Sequence, residues 1–310
     1  MKKMMKFLAL CLCTFGLIVA ATSCGKKEEA KAIKVYTRDT ASGTRDGFFT
    51  GIGFGEATKD NAPLVAGYIE VADNGSMINS IKNDENGIGY ISLSSLEDST
   101  LKGLIYEKVN PTKENVLNGT YSLTRNFNYC LRKEYKNEVN KQIVEAFIAY
   151  MHTIEGKATI SEKGGIVSSS NTDQSWDDIK KNYPVASQDN SAVTIKVAGS
   201  TSVKSIVEAL LIEFSSKCGN FQFEQNATGS SDAYKRTNGS EKDGVNASDI
   251  GFASREFKTE EQMDDSLKGK MCIDAIVVVV NKENAINEIT AEVIKKIYNG
   301  TYTKWSEIAK

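Results

Sequence analysis

The chain has 310 residues, of which 40% are hydrophobic and 25% are charged, an ordinary composition for a globular protein with a sizeable core. The formal net charge is -2, so the chain has no basic field that would attract nucleic acid. If the ligand is an anion, local hydrogen-bond donors must hold it, because the overall charge does not attract it.

The N-terminal residues 1–23 are typical of a bacterial lipoprotein signal. Three lysines form its positive region, namely Lys2, Lys3 and Lys6. The apolar run over residues 7–20 is short for a transmembrane helix, and small residues then lead into Cys24. We expect cleavage before Cys24 and lipid attachment to its sulfur; an ordinary secretory signal is the alternative. Residues 24–32 are predicted to be a charged tether with nothing to bury.

The first folded stretch is a predicted strand over residues 33–36, followed by the loop 38–45 and a helix that opens near Arg45. Backbone N–H groups at a helix start lack intrahelical partners, and the helix dipole adds partial positive charge there. Hydroxyl side chains and Arg38 add further donors, so the loop is predicted to bind an anion. The alternative is that Ser42 and Thr44 only cap the helix and that Arg38 lies in solvent.

The middle of the chain alternates between predicted strands and helices. The spacing of apolar residues predicts a helix capped by Ser76 and one long amphipathic helix over 138–154. The remaining predicted elements are strands over 88–93 and 122–132 and a short helix over 111–116. Residues 168–190 are polar with little periodicity and predict a connector that runs over the surface.

The last third of the chain repeats the opening plan. Two more hydroxyl-rich loops, 198–202 and 228–233, each follow a predicted strand and precede a helix. Further strands are predicted over 249–256 and 276–280, and a helix over 289–297. In open α/β sheets, ligands bind beyond the carboxyl ends of strands, so the three loops predict one shared oxyanion site.

The sequence offers little for chemistry beyond binding. The loops lack a nucleotide P-loop ending and a nucleophile elbow, and His152 is the one histidine. No metal-ligand spacing is present, so neither a metal nor another cofactor is predicted. An esterase or phosphatase with Ser42 or Ser202 as nucleophile is the enzyme alternative, which lacks a base partner. The cysteines of the folded part are expected to be buried hydrophobes, although one disulfide is possible: Cys130, Cys218 and Cys272.

As a set, seven motifs resemble the phosphate-binding lipoproteins of bacterial ABC phosphate importers. They are Arg38 to Arg45, Gly87 to Leu93, Gly119 to Arg125, Ala198 to Ser202, Gly229 to Ser231, Ile250 to Glu256 and Asn299 to Glu307. The resemblance implies an α/β, two-lobed periplasmic-binding-protein fold (type II-like), and it covers most of the chain after the tether.

The order of the motifs departs from that family. There, the segment resembling residues 193–310 comes first and the segment resembling 33–167 follows, so the chain resembles a circular permutant. The implied lobes are residues 33–93 plus 281–310 and residues 94–280, with hinge crossings near Ser94 and Asn281.

The resemblance also implies the residues of the binding site. The phosphate contacts carried over by motif are Arg38, Ser42, Gly43, Thr44, Thr201, Ser202 and Ser230, with Ser254 and Arg255 at a turn where some members place an aspartate. Here the next acid is Glu256, and Asp39 is expected to orient Arg38. An acidic acceptor favours a protonated anion such as phosphate over sulfate. Because the acid is displaced here, the selectivity for phosphate over sulfate stays open.

The implied function is an extracytoplasmic receptor, lipid-anchored to the cell membrane, that captures inorganic phosphate between its lobes. It would deliver phosphate to an ABC permease and ATPase, without a cofactor and without enzymatic turnover. The alternatives are a receptor for another oxyanion such as sulfate and a surface adhesin or sensor on the same fold.

Overall fold

The computed structural model describes residues 32–96 and 99–308. The lipoprotein signal, Cys24 and nearly all of the tether lie outside these residues. The strands are β1 (Lys34–Arg38), β2 (Ile69–Val71), β3 (Gly87–Ser92), β4 (Lys102–Gly103), β5 (Ile105–Tyr106), β6 (Thr124–Leu131), β7 (Thr194–Gly199), β8 (Gln222–Ala227), β9 (Ile250–Ala253), β10 (Lys268–Val280) and β11 (Glu288–Ile289).

The helices follow most of the strands. They are α1 (Gly43–Gly51), α2 (Asn74–Lys82), α3 (Leu93–Leu96), α4 (Lys113–Leu117), α5 (Glu138–Met151), α6 (Ile154–Glu162), α7 (Trp176–Ile179), α8 (Lys204–Lys217), α9 (Ser230–Thr237) and α10 (Ala291–Tyr298). A short 3-10 turn, Thr201–Val203, precedes α8. The mixed α/β composition agrees with the fold class predicted from the sequence.

One sheet runs through the described residues in the order β2-β1-β3-β10-β6-β9-β7-β8, with β4 paired to β10. The pairs of β1 with β2 and of β7 with β8 and β9 are parallel, whereas β10 is antiparallel to both β3 and β6. Strand β10 has 13 residues and is the element that continues from one half of the sheet into the other. Its first part pairs with β6 and its last part with β3.

Two large hydrophobic clusters lie on the two halves of this sheet. Core A contains the buried side chains of β1, α1, β3, α10 and the apolar end of β10. Core B contains those of α5, α8, β7 and β9. Side chains from residues 104–123 and 275–280 belong to core A, so the chain passes between the cores near residues 124 and 274. The lobe boundaries near Ser94 and Asn281 stay a prediction. The hydrophobic cores favour a first boundary that is later in the chain than Ser94 and a second boundary that is earlier than Asn281.

Three local predictions are wrong in detail. The predicted cap Ser76 lies inside α2, whose N-cap is Asp73, because the Asp73 carboxylate accepts from the Ser76 N–H at 2.7 Å. The predicted helix over 138–154 is divided at Thr153, whose hydroxyl accepts a hydrogen bond from the Gly156 N–H and so caps a second helix, α6. The predicted surface connector places Trp176 in core B, where it is 3% exposed and its ring lies edge-on to Tyr150. An indole can be buried by a segment that shows no periodicity, because a single large side chain buries as much area as several small ones.

The three cysteines of the described residues, Cys130, Cys218 and Cys272, are free and buried. Burial raises the pKa of the Cys130 thiol to about 12, so this group stays protonated at neutral pH. Within the described part of the chain, no helix has both the length and the apolar character needed to cross a membrane.

Candidate functional site

The three hydroxyl-rich loops meet where parallel strands end. Strand β1 leads to the N-terminus of α1, β7 leads to the turn Thr201–Val203 before α8, and β8 leads to α9. Because β1 lies in core A whereas β7 and β8 lie on the core B side, the helix starts face one another across the two halves of the molecule. Helix N-termini present unpaired N–H groups and partial positive charge, so their meeting favours an anion.

Arg38 is the last residue of β1, and its side chain is 1% exposed. Its Nη2 donates to the Ala72 carbonyl at 2.7 Å and to Thr201 Oγ1 at 3.1 Å, and its Nη1 approaches Asn74 Oδ1 at 3.4 Å. The backbone N–H of Arg38 donates to the Tyr90 hydroxyl at 3.1 Å. These contacts hold the guanidinium at the meeting point of the loops.

The Arg38 guanidinium has no carboxylate partner among the described residues, and its buried Nε has no hydrogen-bond acceptor. Burial lowers the pKa of Arg38, because the charged form is removed from water. A guanidinium nevertheless stays protonated in proteins, so a positive charge remains buried that Asp39 and Asp73 favour through their charge, while no carboxylate among the described residues accepts a hydrogen bond from it. This is the strongest sign in the structure that a negative ligand belongs here.

Direct contacts join the two sides of the site. Thr44 Oγ1 and Ser202 Oγ lie 2.7 Å apart, and Ser202 Oγ also lies 3.5 Å from Asn74 Nδ2. A side chain at Gly43 would collide with the hydroxyls of Ser230 and Ser254, so only glycine allows the start of α1 to approach them this closely. The close approach leaves the first N–H groups of α1 beside the start of α9.

A cluster of serines forms the floor of the site on the core B side. Ser230 Oγ accepts from the Ser254 N–H at 2.9 Å, and the two hydroxyl oxygens lie 3.1 Å apart. Ser200 Oγ donates to Ser254 Oγ at 2.8 Å and accepts from the Ser202 N–H at 3.1 Å. All four serines are nearly fully buried, so their hydroxyls bond to one another or, in the case of Ser202, to Thr44, rather than to water.

A buried ion pair lies beneath this floor. Arg125 Nε and Nη2 donate to Asp274 Oδ2 at 2.9 and 2.8 Å, and the two side chains are 3% and 0% exposed. Ser92 donates to Asp274 Oδ1 at 2.6 Å, while Arg125 Nη1 donates to Ser254 Oγ at 3.2 Å. Burial raises the pKa of Asp274, and Arg125 opposes that rise. The pair lies where β10 passes from core B to core A, so it links the crossing strand to the site.

The structure brings most of the predicted site residues together. Those in the cluster are Arg38, Gly43, Thr44, Thr201, Ser202, Ser230 and Ser254. Ser42 lies beside them as the N-cap of α1, since its hydroxyl accepts from the Arg45 N–H at 3.4 Å. In the first loop, Ser42 therefore caps the helix, whereas Thr44 reaches across to Ser202; anion binding by this loop stays a prediction.

Two predicted side chains have other partners. Arg255 donates to both carboxylate oxygens of Glu261, at 2.7 and 2.8 Å, and also bonds Ser231. Asp39, expected to orient Arg38, instead accepts from the Ala41 N–H at 2.8 Å within its own loop. The Arg255 guanidinium is thus paired with Glu261, whereas Asp39 acts on Arg38 through its negative charge, which opposes the lowering of the Arg38 pKa by burial.

Sequence reasoning missed several members of the cluster. They are Asn74, Ser200, Arg125 and Asp274. Arg125 ends one of the motifs that carry the family resemblance, and Asp274 is a lone acid before a run of six apolar residues. In the sequence, Arg125 and Asp274 are two separate polar residues, and their pairing depends on the register between β6 and β10.

The cluster is suited to binding an oxyanion rather than to chemistry. It combines the Arg38 guanidinium, whose Nε has no hydrogen-bond partner, with several hydroxyls and the N–H groups of converging helices. No group of three or more histidine, cysteine or carboxylate side chains in the described residues is placed to hold a metal. His152 is the C-cap of α5 and is not part of the cluster.

The described residues have a fold of the periplasmic-binding-protein type, and the cluster described above lies between core A and core B. The profile of the PBP superfamily domain matches residues 184–310. A crystal structure of a phosphate-binding protein of a phosphate ABC transporter from Streptococcus pneumoniae TIGR4 superposes with a TM-score of 0.64 and 25% identity. The superposition covers 90% of this chain and 100% of that one, which confirms the predicted fold.

The chain is related over nearly its whole length to proteins named phosphate-binding protein PstS 2. The relative from S. pneumoniae is 29% identical, and the one from Streptococcus agalactiae is 28% identical, over 99% of each chain in both comparisons. These relatives are binding proteins and not enzymes by name. Since they align from end to end, they share the segment order of this chain, and the permutation relative to the wider family stays a prediction.

Proposed function

We propose that the protein captures inorganic phosphate between its two halves. The observation that carries this proposal is the Arg38 guanidinium, which is buried, has an unpaired Nε and lacks a carboxylate partner among the described residues. A tetrahedral oxyanion would supply the missing charge and accept from the surrounding hydroxyls and helix N–H groups. The full-length relatives named for phosphate binding support this choice of anion.

The remaining functional predictions extend this proposal. The protein presents phosphate to an ABC permease and ATPase on the outer side of the cell membrane, and a lipid on Cys24 anchors it there. The structural neighbour named as part of a phosphate ABC transporter supports the importer partner. The order of positive, apolar and small residues before Cys24 supports the anchor.

We also propose that the segment order is a circular permutation of the wider family. The order of the motifs, with Arg38 to Arg45 before Ala198 to Ser202, supports it. Its former termini would be joined by residues 168–190, a segment in which Trp176 is buried in core B.

Calorimetric titration with inorganic phosphate tests the proposed function. The chain from Gly25 onward contains every residue that the structure describes, and we expect it to bind one phosphate per chain. Bound phosphate should also raise the melting temperature, because a ligand that binds only the folded state stabilises it. Absence of both binding heat and a thermal shift at millimolar phosphate would contradict the proposal.

A further inference from the structure

The loop that follows β9 is closed at its base by a buried ion pair; we call residues 255–263 the strap. The Arg255 guanidinium donates to both carboxylate oxygens of Glu261, at 2.7 and 2.8 Å. The two side chains are 4% and 9% exposed, so water and salt screen this pair little. The Lys258 N–H also donates to Glu261 Oε2 at 2.8 Å, so the same carboxylate holds the backbone at the tip of the strap.

The strap is attached to the core B side of the molecule. Phe257 and Met263 pack against a small cluster of buried residues that includes Cys130. The Arg255 carbonyl accepts from Asn128 Nδ2 at 3.0 Å. Both partners, Cys130 and Asn128, lie on β6, which pairs with β9. The strap therefore belongs to the same half as core B.

The tip of the strap reaches the other half. Lys258 Nζ lies 3.8 Å from Asp46 Oδ2. Lys59 Nζ lies 3.7 Å from Glu260 Oε1. Asp46 is in the first turn of α1, and Lys59 is the C-cap of a 3-10 turn that contributes a buried side chain to core A. Two ion pairs thus join the halves, and each half supplies one cation and one anion.

The pair between Lys258 and Asp46 is expected to be the stronger of the two. Its side chains are 21% and 25% exposed, whereas those of Lys59 and Glu260 are 65% and 64% exposed. Partly buried charges are screened less than exposed ones, and exposed pairs contribute little. The backbone of Lys258 is already held by the base of the strap, so less conformational entropy is lost when its side chain meets Asp46.

The strap contacts the helix whose start lies in the candidate site. Asp46 follows Thr44 by two positions in α1, and Thr44 is the residue that reaches across to Ser202. At the other end, the strap begins directly after Ser254, which lies in the serine floor. The approach of the strap to α1 is therefore coupled to the approach of the two sides of the site.

We propose that the strap holds the two halves together through its ion pairs with the core A side, and so strengthens the hold on a bound anion. The effect on affinity rests on the proposed phosphate-binding function, whereas the effect on the distance between the halves does not. Lys258, Asp46, Lys59 and Glu260 are positioning residues in this account, because they act through the arrangement of the halves. Arg255 holds the base of the strap.

The first test is the double variant Asp46→Asn with Glu260→Gln, which removes the acid of each pair. We expect the phosphate Kd from calorimetry to rise about fivefold at low salt, the range that two weak ion pairs allow. At about 1 M salt, where the Debye length is about 3 Å, the difference should shrink to about twofold or less. Charge alone predicts the opposite sign, because removing two acids near an anion site favours the anion.

The matched control is Asp264→Asn. Asp264 pairs with Lys133 at 3.5 Å, and the two side chains are 67% and 66% exposed, much like the Lys59–Glu260 pair. This pair joins two segments of the core B half, so its loss should change the phosphate Kd less than about 1.5-fold. The control thus separates the loss of a pair between the halves from the loss of any surface ion pair.

The second test measures the distance between the halves directly, with and without phosphate. Spin labels on Leu117→Cys in α4 and Ile212→Cys in α8 report on the core A and core B sides, since these side chains are 50% and 60% exposed. The cysteines of the described residues are buried and should stay unlabelled. Double electron–electron resonance should show more of the longer distances in the phosphate-free double variant than in the phosphate-free labelled parent or in Asp264→Asn.

The outcomes separate this inference from the proposed function. Tighter phosphate binding by the double variant would overturn the inference, because the two acids would then act through their charge alone. Equal weakening in Asp264→Asn, or a distance distribution that the double variant leaves unchanged, would overturn it as well. If the unchanged chain binds no phosphate, the proposed function fails, and the label distances still decide whether the strap holds the halves together.

Discussion

Replacing Arg38 by methionine is expected to abolish phosphate binding at micromolar concentrations. Methionine fills much of the same space but removes a buried charge whose Nε has no hydrogen-bond partner and to which no described carboxylate is hydrogen-bonded. Losing one partner of a buried, hydrogen-bonded charge pair costs about 2–5 kcal/mol, so the affinity should fall at least about thirtyfold. Calorimetric titration of the variant and the unchanged chain gives this difference directly.

The same substitution should lower the stability of the ligand-free protein much less than it lowers the phosphate affinity. A buried charge without a counter-ion is itself unfavourable, so the melting temperature without phosphate should stay level or rise. Arg132→Met is the matched control, since Arg132 is also buried but pairs with Asp243 at 2.8 Å outside the site. This control should lose stability and keep its phosphate affinity. Equal affinity losses in the two variants would remove Arg38 from the site.

The second large effect is expected on stability, from Asp274→Asn. This change keeps the shape of the side chain but leaves Arg125 buried at 3% exposure without its carboxylate. Removing one partner of a buried ion pair typically costs about 3–5 kcal/mol, because the remaining charge is uncompensated. Urea denaturation followed by circular dichroism should therefore show a much lower midpoint with little change in slope.

Two further variants make that prediction specific. Asp243→Asn also removes a carboxylate from an arginine, but Asp243 is 63% exposed, so the loss should be below about 1 kcal/mol. The double change Arg125→Met with Asp274→Leu removes both charges and should recover most of the stability lost in Asp274→Asn. A loss below about 1 kcal/mol in Asp274→Asn would show that the pair is not energetically coupled as its geometry indicates.

The loops of the site could be predicted from the sequence because their signals are local. A strand pattern, small hydroxyl residues and a helix pattern follow one another within about a dozen residues, and helix N-termini bind anions for reasons that apply to any chain. These signals place Thr44 and Ser202 in one predicted site, and their hydroxyl oxygens lie 2.7 Å apart.

The ion pair could not be predicted in the same way, because its two residues are 149 positions apart in the chain. Arg125 and Asp274 meet through the register of β6 with β10, and β10 begins eight residues before the predicted apolar strand. A buried carboxylate is expected to have a partner. That rule predicts that a cation pairs with Asp274, but only the tertiary structure shows that the cation is Arg125.

Arg255 is a residue whose position the motif predicts but whose side-chain partner it does not. It stands at the turn that the family resemblance assigns to the ligand, and its neighbour Ser254 does lie in the cluster. Its side chain is bound by Glu261, six residues further on. A motif predicts where the backbone goes, but the partners of a long side chain depend on charges that the motif does not include.

Diffraction from crystals grown with inorganic phosphate would show whether the anion occupies the cluster around Arg38. We expect one phosphate between the start of α1 and the start of α9, within hydrogen-bond distance of Arg38, the Thr44 N–H and Ser230 Oγ. The Nε or Nη groups of Arg38 should then have an anionic partner. A phosphate bound elsewhere, with Arg38 still lacking a partner and the serine cluster unchanged, would contradict the account.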